Sequence, residues 1–159
     1  MPLDAEAADD RELVLTRVID APAAALYRCW TEPELLKQWF APAPFTTPVA
    51  ELDVRPGGAS LIVMKSPDGD EMPNRGVYLE VVPGRRLVFT DSFVSAWQPS
   101  EHPFMTVELS FDDLGGGKAR YTARVRHPTL ADRERHAQMG FHQGWGLCAD
   151  QLAALASRI

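Results

Sequence analysis

One apolar stripe near the C-terminal end narrows the fold more than any other feature. Between residues 131 and 157, Phe141, Trp145, Cys148, Leu152 and Leu155 recur at spacings of four, three, four and three. That period predicts one continuous helix of about 40 Å, rising about 1.5 Å per residue, with a single face to bury. The preceding chain supplies the partner. Residues 49–54 run into Pro56-Gly57-Gly58, 59–65 into Pro67-Asp68-Gly69, and 74–82 into Pro83-Gly84. Residues 85–93 lead to a longer loop around Trp97-Gln98-Pro99, 104–111 meet Gly115-Gly116-Gly117, and 118–127 close the series. Strand-like segments joined by such short turns form an antiparallel meander, and the absence of βαβ alternation argues against a parallel sheet. A twisted sheet of six or seven strands, curved around the long helix, covers both apolar surfaces.

The front of the chain adds one strand and two short helices. From Glu12, Leu13, Leu15 and Ile19 lie opposite Val14, Thr16 and Val18, so both faces of this strand are expected to be covered. Asp20-Ala21-Pro22 breaks it, and Pro22 suits the entry to a helix. Residues 23–30 place Leu26 and Trp30 one turn apart. Thr31 is expected to cap a second segment, with Pro33 in its first turn, Glu34 completing a box-like arrangement, and Leu35, Leu36, Trp39 and Phe40 as its stripe. Ala41-Pro42-Ala43-Pro44 ends helical structure. Residues 1–11 lack apolar periodicity and read as a disordered tail, which leaves 12–159 as the domain. Gly140, Gly144 and Gly146 weaken the last helix and permit either a bend or a close backbone approach.

Composition excludes several classes. Sixteen basic against twenty-two acidic residues give a formal charge of -6, which disfavours nonspecific binding to nucleic acid or anionic membranes. No run is long enough to cross a membrane as a helix. The first dozen residues are acidic and Ala-rich, unlike a signal peptide, so a cytoplasmic location is expected. Cys29 and Cys148 share no CxxC-type spacing and both fall on helical stripes, where they read as packing.

The blocks with the most information carry a family resemblance. "RVIDAP" over 17–22, followed by "LYRCWTEPELLKQWF", resembles the opening of the START-like (Bet v 1-like, SRPBCC) superfamily. Within it the chain is similar to the bacterial group related to the activator of Hsp90 ATPase. "DVRPGGASLIVM", "GVYLEVVPGRRLVFTD" and "HAQMGFHQGWGLCADQLAAL" resemble that group's later hairpins and terminal helix, in the same order. Phe40 stands where a second tryptophan is common in the group. The resemblance implies an α+β helix-grip fold with a cavity between sheet and helix. It implies no shared reaction.

Several polar residues and motifs admit both a functional and an ordinary structural role. His136 and His142 are six apart and cannot share a helical face, and no HExxH or CxxC partner exists, so no metal is expected. Gly115-Gly116-Gly117-Lys118 precedes a strand and reads as a hairpin turn, not a phosphate loop. Arg120, Thr122, Arg124 and Arg126 alternate with Tyr121, Ala123, Val125 and His127, which predicts a solvated face opposite a buried one. His127 thus has inward parity, Asp91 shares parity with Leu87 and Phe89, and His142 flanks the terminal stripe. At least two of these three are expected to reach a pocket otherwise walled by Trp39, Met64, Phe89 and Trp145. The structural alternative is that Asp91 caps a loop and both histidines bond backbone carbonyls outside the pocket.

The leading expectation is therefore a domain that binds a small apolar or aromatic molecule, with no cofactor. The alternatives are a cyclase-, dehydratase- or hydrolase-type enzyme using Asp91, His127 or His142 as acid or base, and an Hsp90-linked regulator. The expected partner is a small hydrophobic molecule, not nucleic acid or membrane; a homodimer stays open.

Overall fold

The computed structural model describes residues 10–159. The tail expected over 1–11 lies outside them, except that Asp10 and Arg11 stand in a turn. In chain order the elements are β1 (Glu12–Ile19), α1 (Ala23–Thr31), α2 (Pro33–Leu36), β2 (Thr46–Leu52), β3 (Ala59–Lys65), β4 (Glu71–Val82), β5 (Arg86–Thr90), β6 (Phe93–Ser95), β7 (Gln98–Pro99), β8 (Thr106–Gly115), β9 (Lys118–Arg126), α3 (Leu130–Gln138) and α4 (Phe141–Ala156).

Seven strands form one sheet in the order β1-β9-β8-β5-β4-β3-β2, and β6 and β7 form a separate small hairpin. The turn chemistry accounts for this order: each hairpin partner is the next strand, and every pairing is antiparallel. Two pairings are non-local. The β6–β7 excursion returns the chain so that β8 pairs with β5, and β1 pairs with β9 along its whole length. Helices α1 and α2 carry the chain from β1, at one edge, to β2, at the other. This is the helix-grip fold, with seven strands where six or seven were expected.

The period-2 alternation is clearest in β9. Ala119, Tyr121, Ala123 and Val125 are buried, while Arg120, Thr122, Arg124 and Arg126 face outward. The outer face is not merely solvated. Arg86 bonds both Glu80 and Glu108, Arg126 bonds Glu108 and Glu12, and Arg124 reaches Glu12 at 2.7 Å, so one chain of ion pairs crosses five strands. Glu12 is only 2% exposed, and its two arginines make that burial tolerable. In β1 the expectation of two covered faces holds for Leu13, Val14 and Leu15 but not for Val18, which is 60% exposed.

Two local expectations are corrected. Thr31 does not cap α2; its hydroxyl donates to the Tyr27 carbonyl within α1, and Glu32 precedes Pro33 without a side-chain cap. The terminal helix is not continuous. Thr129 caps α3 by accepting from the Asp132 N–H, and the chain breaks at Gly140, which has φ 92° and restarts the helix. That left-handed conformation suits glycine, so of the two roles expected for the glycines the bend falls here. Close approach falls at Gly146, where a Cβ would meet the Arg17 guanidinium at 2.9 Å. Beyond the break, Phe141, Leu152 and Leu155 are buried in the main core, whereas Trp145 and Cys148 are only half-buried.

Candidate functional site

A pocket of about 450 Å³ lies between the sheet and the helices. Its floor comes from β3, β4 and β5 through Ile62, Met64, Tyr78 and Phe89, and one wall from α4 through Phe141, Trp145 and Cys148. The opposite wall is the aromatic group Trp30, Trp39 and Phe40, with ring centroids 4.8 to 5.8 Å apart.

That wall is held by hydrogen bonds as well as packing. Trp39 donates its indole N–H to the Cys29 carbonyl at 2.9 Å, and the Thr47 hydroxyl donates to the Phe40 carbonyl. Gln151 of α4 donates to the carbonyls of Trp39 and Ala41 and accepts from the Ala43 N–H, tying the segment after α2 to the last helix. Such fixed walls keep a concave site open where side chains would otherwise collapse into it.

The expected site residues separate into two groups. Trp39, Met64, Phe89, Asp91 and Trp145 line the pocket. His127 and His142 do not. His142 is exposed on α4, its ring edge-on to Phe141 at 5.0 Å, because the helix restarts at Gly140 and a step of about 100° from an inward Phe141 turns outward. His127 has the inward parity expected of it but sits at the end of β9, with Phe104 and His136 packed on it at 5.4 and 5.0 Å. The residue that reaches the pocket is His136, the one buried side chain of α3. Sequence reasoning weighed His136 only as a metal ligand. The Thr129–Asp132 cap and the Met139-Gly140 stop would have marked α3 as a separate helix and put its histidine in play.

The two histidines form a relay of defined polarity. The Arg11 carbonyl can only accept, so Nδ1–H of His127 donates to it at 2.7 Å. In the neutral ring Nε2 of His127 is then an acceptor, and Nδ1–H of His136 donates to it at 2.8 Å. Nε2 of His136 is left with a lone pair. Burial, and then the neighbouring His127, lower the His136 pKa to about 4, so its ring is neutral at pH 7.

Asp91 is both loop cap and pocket residue. One oxygen accepts the N–H groups of Phe104 and Met105 at 2.8 and 2.9 Å, which pins the return of the chain into β8. Burial raises its pKa, opposed by those backbone hydrogen bonds and by His127. Tyr121 lies deeper and is 2% exposed, and the Trp30 indole N–H lies close enough to influence its hydroxyl but outside hydrogen-bond geometry. Trp30 Nε1 is the one fully enclosed side-chain nitrogen or oxygen without a bond among the described residues. No three His, Cys, Asp or Glu side chains among the described residues cluster as metal ligands, and none of the described helices is long and apolar enough to cross a membrane.

Residues 20–157 match the family model described as activator of Hsp90 ATPase homolog 1-like protein. The chain belongs to that family. This activator-like domain, of START/SRPBCC type, is similar to a solved structure from Nitrosomonas europaea at 38% identity and TM-score 0.89, covering 94% of this chain and 96% of the other. A Chromobacterium violaceum structure is 28% identical with TM-score 0.73, covering 91% and 96%. A Rhodobacter sphaeroides structure at 18% identity and TM-score 0.83 covers 97% of both chains and shares the fold. No curated protein matches the activator-like chain.

Proposed function

We propose that this domain binds a small apolar or aromatic molecule in the pocket between sheet and helices. The carrying observation is that pocket: about 450 Å³, within the ordinary range for small-molecule sites, and walled by Trp30, Trp39 and Trp145. Three of the chain's four tryptophans therefore surround the space a ligand would take, and the hydrogen bonds to Trp39, Phe40 and Ala41 hold the wall before any ligand arrives. A carrier or sensor role follows from binding without chemistry. The cyclase, dehydratase or hydrolase alternative would use Asp91 with His136 in place of His127 or His142, but no nucleophile among the described residues is bonded to either group. The Hsp90 link rests on the family description alone.

Titration with 2-naphthol, read by tryptophan fluorescence, tests the reading. Saturable quenching that weakens in Trp145→Phe, with Trp97 far out on the surface at 70% exposure, is the expected result. Quenching that is linear in probe, or unchanged by the substitution, would refute pocket binding.

A further inference from the structure

The polar groups that open on the pocket are unequal in kind. Asp91 Oδ1 is engaged by the Phe104 and Met105 N–H groups, while Oδ2 receives no donor from another described residue. His136 Nε2 likewise has no partner among the described residues, and His136 lines the pocket. Because Trp30 Nε1 is the one enclosed, unbonded side-chain nitrogen or oxygen among the described residues, neither Oδ2 nor Nε2 is sealed in, and both belong to residues that line the pocket. The relay through His127 to the Arg11 carbonyl makes Nε2 of His136 an acceptor, not a donor.

These acceptors stand at one end of the pocket, around Phe104. The Phe104 N–H bonds Asp91, and the Phe104 ring lies 4.9 Å from the His136 ring. Two neighbouring donors are already engaged: Asn74 donates to the carbonyls of Ile62 and Met72, and the Thr90 hydroxyl is bonded with Met105, Thr106 and Ser92. The cation among the lining residues is Arg75, which is exposed. A ligand that fills the pocket takes water away from both acceptors, and an acceptor then left without a donor is costly, so the site favours a ligand that supplies one.

Building on the binding reading above, we propose that the pocket selects ligands with a hydrogen-bond donor head, an amine or hydroxyl shared by Asp91 Oδ2 and His136 Nε2, and rejects carboxylate heads. The aromatic body of the ligand lies against Phe89, Trp39 and Trp145. The donor head points at Phe104. A carboxylate there would place two anions together in a half-enclosed site with no buried lining cation to hold them.

The test is a matched series on the whole chain at pH 7.5: naphthalene, 2-naphthylmethylamine, 2-naphthol and 2-naphthoate, titrated by calorimetry and tryptophan fluorescence. Amine and naphthol are expected to bind about tenfold or more tighter than naphthoate, the scale of one hydrogen bond to a charged group. Asp91→Asn keeps an oxygen for the Phe104 and Met105 amides but turns Oδ2 into a donor, so it should erase the amine preference and improve naphthoate. His136→Gln should weaken naphthol and amine while leaving naphthalene unchanged. Naphthoate binding as tightly as the amine in the wild type, through Arg75 for instance, would overturn the donor-head assignment while leaving pocket binding intact. So would a ranking unchanged in either variant. Failure of all four probes to bind would overturn both readings together.

Discussion

Where β1, β9 and β8 face α1 and α4, the inward side chains are enclosed: Val107, Leu109, Ala119, Ala123 and Val125 are 0% exposed, as is Leu152 opposite them in the core. Where β5, β4 and β3 turn inward, Phe89 and Met64 stay half-buried beside an open pocket. The same sheet, with the same alternation, is finished in two ways. The helices explain the difference. α1 packs on β8 and β9 and α4 on β1, whereas across the other half the chain offers a propped aromatic wall and the interrupted start of α4. One half is stabilised by contact; the other spends its side chains on shaping a space.

The sharpest test of this contrast is a pair of truncations. Leu152→Ala in the filled half should cost roughly 2–5 kcal/mol by denaturant unfolding, the usual large-to-small penalty in a closed core. A loss under about 0.5 kcal/mol would mean that the α4 stripe is not core.

The next effect belongs to the border between the halves, where His136 is buried as a neutral base. Its pKa is lowered to about 4 in the folded state from an ordinary 6.5. Below 6.5 the unfolded chain binds the proton first, so stability falls with falling pH and the loss ends near pH 4. Read between pH 6.5 and 5, above most carboxylate titrations, the loss should be about 2 kcal/mol at about 1.4 kcal/mol per unit. Asp91, whose pKa burial raises, acts in the opposite sense and regains some stability as it protonates. Chemical denaturation of wild type and His136→Gln across this window checks the sign: equal slopes would remove His136 as the cause.

In the open half, Met64→Ala should cost less than about 1 kcal/mol, because the side chain already borders empty space and leaves little new cavity. A penalty comparable with that of Leu152→Ala would show that the two halves are packed alike.

The smallest effect is kinetic. Burial raises both thiols to about 11, so neither reacts quickly near neutral pH. Cys29 is 0% exposed in the filled half, whereas Cys148 lines the pocket, a correction to its reading as simple packing. Cys148 should label slowly in the native protein, more slowly still with 2-naphthol present, and Cys29 only after unfolding. Faster labelling of Cys29 would reverse the contrast.

Much of the architecture was legible because its determinants are local. Gly57-Gly58, Asp68-Gly69, Pro83-Gly84 and Gly115-Gly116-Gly117 mark turns wherever they occur, and the alternation in β9 assigns its faces without knowledge of what covers them. Met64, Phe89 and Trp145 were readable as pocket residues for the same reason: parity along a strand or period along a helix survives into the fold.

What the sequence by itself determined, then, is the antiparallel meander, the inward set of each strand, and a terminal helix that turns the stripe of Phe141, Trp145, Cys148, Leu152 and Leu155 inward. What only the tertiary structure decided is which polar groups meet inside. His142 and His136 are six residues apart, and a single glycine at φ 92° between them ends one helix and starts another, with His136 buried on α3 and His142 exposed on α4. The bonds that give Asp91 and His136 their character come from Phe104, Met105, His127 and Arg11. Those partners lie across strand pairings and a helix break, and a hydrogen bond's direction depends on distances of a few tenths of an ångström that no local pattern encodes.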